Sequence, residues 1–244
     1  MRRRILATSG GSIPGPVIRS VRIGSMVLDA LARTKKDRPR VCLVETARGD
    51  SESAYATYYE AFNAAGCDVT ELRLFTQPSA NPHERLGSSD FVWVGGGSVA
   101  NLLALWRLHG VDDAMLSAWD SGVILGGVSA GSICWHIGGT TDSFGPILTP
   151  VTNALGFLPY ANSVHYDSEP QRRPLMHQLM RERVLPALAV ATDDHVGVWY
   201  DGTDATEVVS DSPVDPRTGP AAYWVELING EPVETRVGVG ERFA

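Results

Sequence analysis

Apolar runs of strand length alternate with segments whose apolar residues recur at helical spacing, and this order predicts a mainly parallel sheet covered by helices. RILATS opens as a strand and Ser25 to Arg33 follow as a helix. VCLVETA is a second strand, AYATYYEAFNAAG a helix ending at Gly66, DVTELRLF a third strand and FVWVGGG a fourth. ANLLALWRLHG reads as a helix closed by Gly110, Met115 to Asp120 as helical, and GVILGG as the strand that leads into a helix after Ser129. Beyond Pro146 the pattern loosens, with MHQLMRERVLPALA helical and HVGVWYDG, EVVSD and YWVELING as strands. The expected class is α/β, a doubly wound, mainly parallel sheet with helices on both faces and extra C-terminal strands. No linker or internal repeat divides residues 1–244, so a single domain is expected.

Composition narrows the choice of partners. With 244 residues at 43% hydrophobic content the chain can bury a sizeable core. No apolar run reaches the roughly 18 residues of a membrane span, and MRRRILATSGG meets a glycine pair too soon for a signal-peptide core. A soluble, cytoplasmic protein is expected. A net charge of −7 disfavours nucleic acid, because Arg2 to Arg4 form only a short cationic cluster. Cys42, Cys67 and Cys134 are odd in number and lack metal-ligand spacing, which predicts free thiols and no zinc site.

The segment Gly127-Val128-Ser129-Ala130-Gly131 places G-x-S-x-G between a predicted strand and a predicted helix, the context in which that motif exposes a nucleophile at a sharp turn. The same letters would also serve a tight corner whose serine merely caps the helix. A serine nucleophile needs a base, and six histidines compete. His136 lies too soon after Ser129 and points away, while His83, His109 and His177 sit in surface-like settings. His195 follows Asp193 and Asp194. His165, in NSVHYDSE, lies in a turn-rich segment beside carboxylates and fits best.

These residues carry a resemblance. GGVSAGSICW, TTDS and NALGFLPYANSVHYDSE, preceded by VETARGDSESAY and VWVGGGSVANLL, resemble the peptidase E family of serine peptidases, the aspartyl dipeptidases related to cyanophycinases. The similarity runs from about Ile5 to about Trp199. It implies a doubly wound sheet with helices on both faces, Ser129 as nucleophile and His165 as general base. It also implies an acyl-enzyme, cleavage of dipeptides after an N-terminal aspartate, no metal and no organic cofactor. The oxyanion donors implied are the amides of Ala130 and Gly97.

Two acids match different parts of the family pattern. Asp142, in TTDS, keeps the order serine, acid, histidine and is preferred; Asp194, in ATDDHVGVW, is the alternative. Asp167 and Glu169 rank lower. Val164 stands where many relatives have proline, and Ser98 where asparagine is commoner. Aspartate selectivity would call for a guanidinium, and Arg172, Arg173 and Arg48 are the candidates. A small peptide is the expected partner, with neither nucleic acid nor membrane, and association into a homodimer stays open. An esterase or amidase on the same scaffold, or an inactive binding module, are the competing classes. Class I amidotransferases share the arrangement but use a cysteine nucleophile, and Cys134 lies beyond the corner.

Overall fold

The computed structural model of the protein describes residues 2–18, 20–211 and 214–243. Its larger sheet has seven strands, in spatial order Asp68–Glu71, Arg40–Val44, Phe91–Val94, Ile124–Val128, Arg4–Thr8, Val196–Asp201 and Asp204–Ser210. The first five run parallel, and the last two extend the sheet antiparallel. The four inner parallel strands are mostly apolar because both faces are covered, whereas the edge strand Asp68–Glu71 is polar and partly exposed. Side chains alternate between the faces: Ile5, Ala7, Cys42, Val44, Val92 and Val94 enter one core cluster, and Leu6, Val41, Leu43, Phe91 and Trp93 enter the other.

Helices Ser25–Arg33 and Glu52–Ala64 cover the second of these faces, contributing Met26, Val27, Tyr55 and Phe62. Helices Val99–His109 and Val111–Asp120 cover the first through Leu102, Trp106, Met115 and Trp119. Ser98 caps the former helix by accepting the Asn101 N–H at 3.2 Å, and Gly110, at φ 68°, closes it. The chain leaves Arg40–Val44 towards one edge of the sheet and leaves Phe91–Val94 towards the other, although these strands are neighbours. Their carboxyl ends therefore flank a crevice, the place where open α/β sheets bind ligands.

The expected C-terminal strands Val196–Asp201, Asp204–Ser210 and Ala222–Ile228 are present, but the last of them belongs to a separate sheet. A second sheet of six strands, in the order Glu231–Val237, Ala222–Ile228, Leu188–Thr192, Ala161–Ser163, Gly138–Thr141 and Thr149–Val151, takes up much of the chain after residue 137. The predicted helix over MHQLMRERVLPALA ends at Arg181; Arg183 turns left-handed at φ 57° and Pro186 follows, so LAVAT is free to become a buried strand. Ala222–Ile228 turns through Asn229-Gly230, at φ 53° and 88°, into Glu231–Val237. An Asn-Gly pair between strands is a hairpin signal. Among the described residues no helix is long and apolar enough to cross a membrane.

Candidate active site

Ser129 follows strand Ile124–Val128 directly and precedes the short helix Ala130–Ile133, with φ 56° and ψ −112°. A non-glycine residue in such a region costs on the order of 1–3 kcal/mol unless its surroundings hold it there. They do: its N–H donates to Thr8 O at 3.0 Å, and its own carbonyl accepts from Ser132 and Ile133 at 2.8 and 2.9 Å. The glycines are required for close approach. A Cβ on Gly127 would lie 2.4 Å from Gly131 O, and one on Gly131 would lie 2.3 Å from Val94 O. The Ser129 side chain makes no capping hydrogen bond, so the corner is not built to cap a helix.

His165 sits two residues beyond Ala161–Ser163, and Asp194 two beyond Leu188–Thr192. These strands are parallel neighbours with Ser163 opposite Ala191, and the register delivers both side chains to the same sheet end. Nδ1 of His165 lies 2.5 Å from Oδ1 of Asp194. His165 is itself left-handed at φ 54°, and its N–H donates to Oγ of buried Ser9 at 3.2 Å. Ser9 Oγ is fixed in turn by Thr192 Oγ1 at 2.6 Å. Consecutive residues of the first strand's end, Thr8 and Ser9, thus hold the backbones of Ser129 and His165. No hydrogen bond joins Ser129 Oγ to His165 among the described contacts, a gap that catalytic pairs commonly close in the substrate complex.

Burial tends to raise the Asp194 carboxyl, but hydrogen bonds from His165 and Ser168 and the positive potential of the neighbouring histidines hold it below the usual carboxylate range. Its N–H donates to Asp167 Oδ1 at 2.8 Å, which gives Asp167 a supporting place. Asp142, the acid preferred from sequence, is not paired with His165. It lies exposed after Gly138–Thr141, in a cleft wall with Ser168 and Gln171, and among the described residues its carboxylate has no hydrogen-bond or ion-pair partner. The reason is topological: His165's strand also pairs with Leu188–Thr192, and that neighbour carries the partnered acid.

Two of the three arginines are committed elsewhere. Arg172 is buried, donating from Nε to Glu169 at 2.7 Å and from its guanidinium to Thr140 O, so it fastens helix Arg172–Arg181 to the second sheet. Arg173 pairs with Glu234 and lies over the Tyr166 and Tyr223 rings at 4.4 and 4.6 Å. Neither is a free guanidinium beside Ser129. Arg48 is exposed and donates from Nε to Gly96 O at 3.2 Å, at the edge of a cleft that Ser12, Ser51, Thr57 and Tyr58 also line.

The remaining histidines separate cleanly. His136 is fully buried between Ser132 O and Tyr200 OH, at 2.9 and 3.2 Å, and burial lowers it to about 4, so it stays neutral. His177, predicted at the surface, is half-buried with Nε2 2.7 Å from Glu234. His195 is exposed at φ 62°, its N–H held by Ser9 O. Cys42, Cys67 and Cys134 are buried free thiols. Among the described residues no three His, Cys, Asp or Glu side chains converge as a metal site.

The glycine-rich segment lies against Ser129. A Cβ on Gly96 would be 3.2 Å from Ser129 Cβ, and Gly97, at φ 130°, has no room for a side chain because Ala47 O would be 2.3 Å from it. Neither the Gly97 nor the Ala130 N–H has an acceptor among the described residues. Sequence reading overlooked Glu45. It is fully buried beneath this loop, both carboxyl oxygens lack a hydrogen-bond partner among the described residues, and burial pushes it up to about 7. The signal was present as a single acidic residue ending an otherwise apolar strand.

Fold and site together define an α/β scaffold with a strained serine corner at its crevice and a histidine–carboxylate pair beside it. The model of peptidase family S51 matches residues 6–208. The chain is 35% identical over 234 residues to the uncharacterized peptidase YgaJ of Bacillus subtilis (strain 168), spanning 95% of this chain and 96% of that one. It is 28% identical over 160 residues to peptidase E of Streptomyces coelicolor (strain ATCC BAA-471 / A3(2) / M145), spanning 62% and 64%. Two solved structures share the fold. A putative peptidase E protein from Listeria monocytogenes EGD-e superposes with TM-score 0.60 at 18% identity, covering 87% of this chain and 100% of that one. A peptidase from an acI-B1 Actinobacterium superposes with TM-score 0.70 at 14% identity, covering 100% and 97%. The chain belongs to peptidase family S51, and it is a peptidase.

Proposed function

We propose that the protein is a serine peptidase that hydrolyses small peptides through an acyl-enzyme on Ser129. His165 takes the hydroxyl proton and returns it to the leaving amine, while Asp194 fixes the imidazole tautomer and stabilises the imidazolium. The amides of Gly97 and Ala130 receive the oxyanion. The observation that carries this reading is the His165–Asp194 pair at 2.5 Å, held by the same strand end that anchors Ser129.

Dipeptides with an N-terminal aspartate are the substrate class this reading favours, on the resemblance to peptidase E. With Arg172 and Arg173 engaged elsewhere, an acidic side chain would be met by the hydroxyl-rich cleft of Ser12, Ser51 and Thr57 beside Ser129's loop. A screen of Asp-X, Glu-X, isoaspartyl and neutral dipeptides tests this. Preference for Asp-X supports the assignment; hydrolysis of neutral esters or amides alone favours the non-peptidase reading.

A further inference from the structure

Arg48 is bonded to the glycine-rich loop that lies against Ser129. Its Nε–H donates to Gly96 O at 3.2 Å. Gly96 C=O and Gly97 N–H belong to one planar peptide, so fixing the oxygen fixes the direction of the N–H on the opposite side. That N–H has no acceptor among the described residues. The segment around it is docked at each step on residues 44–48: Gly95 N–H donates to Val44 O at 3.0 Å, Ser98 N–H donates to Ala47 O at 2.9 Å, and Gly97 packs on Ala47 O. A Cβ on Gly96 would lie 3.2 Å from Ser129 Cβ.

We propose that Arg48 is a positioning residue: through its bond to Gly96 O it aims and polarises the Gly97 N–H at the oxyanion formed on the Ser129 adduct. The inference rests on the acyl-enzyme reading above. Donation to the carbonyl strengthens the amide on the far side of the same peptide, and a pre-aimed donor needs no reorganisation during reaction.

Glu45 gives the arrangement a readout. Its carboxyl lies against Gly95, where a Cβ would be 2.3 and 2.5 Å from the two oxygens. The groups facing it are Arg48 and Asp50 on its own segment and Tyr55 and Tyr58 on helix Glu52–Ala64. Arg48 is the cation among them. While Glu45 is protonated Arg48 has one acceptor, Gly96 O; once Glu45 ionises, an unpartnered buried carboxylate competes for the same guanidinium.

The experiment is the saturation kinetics of a fluorophosphonate probe on the full chain, followed by intact mass. Arg48→Ala and Arg48→Lys are expected to lower the maximal labelling rate about tenfold or more, with the half-saturating concentration changed less than about twofold and melting curves retained. A raised half-saturating concentration at unchanged maximal rate, or no change in either, overturns the proposal. In the wild-type protein the maximal rate is expected to decline as pH rises past 7, and in Glu45→Gln this decline is expected to disappear. A decline that persists in Glu45→Gln overturns Glu45's part. Failure of the wild-type protein to label would instead strike the acyl-enzyme reading beneath.

Discussion

Nδ1 of His165 and Oδ1 of Asp194 lie 2.5 Å apart although 29 residues separate them in the chain. Parallel pairing of the strands that precede them creates the contact, with Ser163 opposite Ala191. Asp142, nearer to Ser129 in sequence, has no such neighbour among the described residues. Asp194→Asn is therefore expected to lower turnover by about 10⁴-fold in a folded protein, since an asparagine stabilises the wrong tautomer. Asp142→Asn is expected to stay within about twofold. Parallel rates and melting curves for the two variants decide the matter.

The depressed Asp194 carboxyl also fixes a pH sign. Its folded value lies below the ordinary 3.8, so its stabilising contribution is complete above that value and is lost as pH falls through the lower folded one. Acid destabilisation is thus expected to set in as pH falls below 3.8, and Asp194→Asn is expected to lose less stability over that range. Melting curves of the wild-type and Asp194→Asn proteins between about pH 5 and pH 2 check it.

Glu45 has the opposite sign. The unfolded chain releases this proton near 4.5, whereas burial holds it in the folded protein to about 7, so stability falls with rising pH across that window and levels off above it. The difference corresponds to about 3 kcal/mol. Glu45→Gln is expected to raise the melting temperature at pH 8 relative to its effect at pH 5 by roughly 5–10 °C. Scanning calorimetry at the two pH values checks it.

His136 and His165 are expected to fail differently. His136→Ala leaves Tyr200 OH and Ser132 O without their buried partner and should lose about 1–3 kcal/mol of stability. His165→Ala should melt near the wild-type temperature and lose hydrolysis. Denaturant unfolding alongside activity separates the two.

Much of the fold could be read from the chain because the four inner parallel strands are covered on both faces, which makes them apolar runs that stand out against amphipathic helices. The crevice residues were legible for a related reason: Gly127, Gly131 and Gly97 have to be glycine where backbone meets backbone. The second sheet was legible only in part, through Ala222–Ile228. Its strands Gly138–Thr141, Thr149–Val151 and Ala161–Ser163 are three or four residues of small or polar character, too short to show a period. The pairing of Asp194 with His165 and the commitment of Arg172 and Arg173 depend on that sheet, so they stayed hidden with it. Ser9 gave no signal at all, since one serine after a strand is common and only tertiary structure puts its hydroxyl under His165.

Ser129 as the nucleophile is read from the intact mass and peptide map of the protein after reaction with a fluorophosphonate. One adduct per chain, located on Ser129, is expected, together with a Ser129→Ala variant that folds, does not label and hydrolyses peptides about 10³-fold more slowly or worse. An adduct on another residue, or a Ser129→Ala variant that turns over at the wild-type rate, would contradict the account.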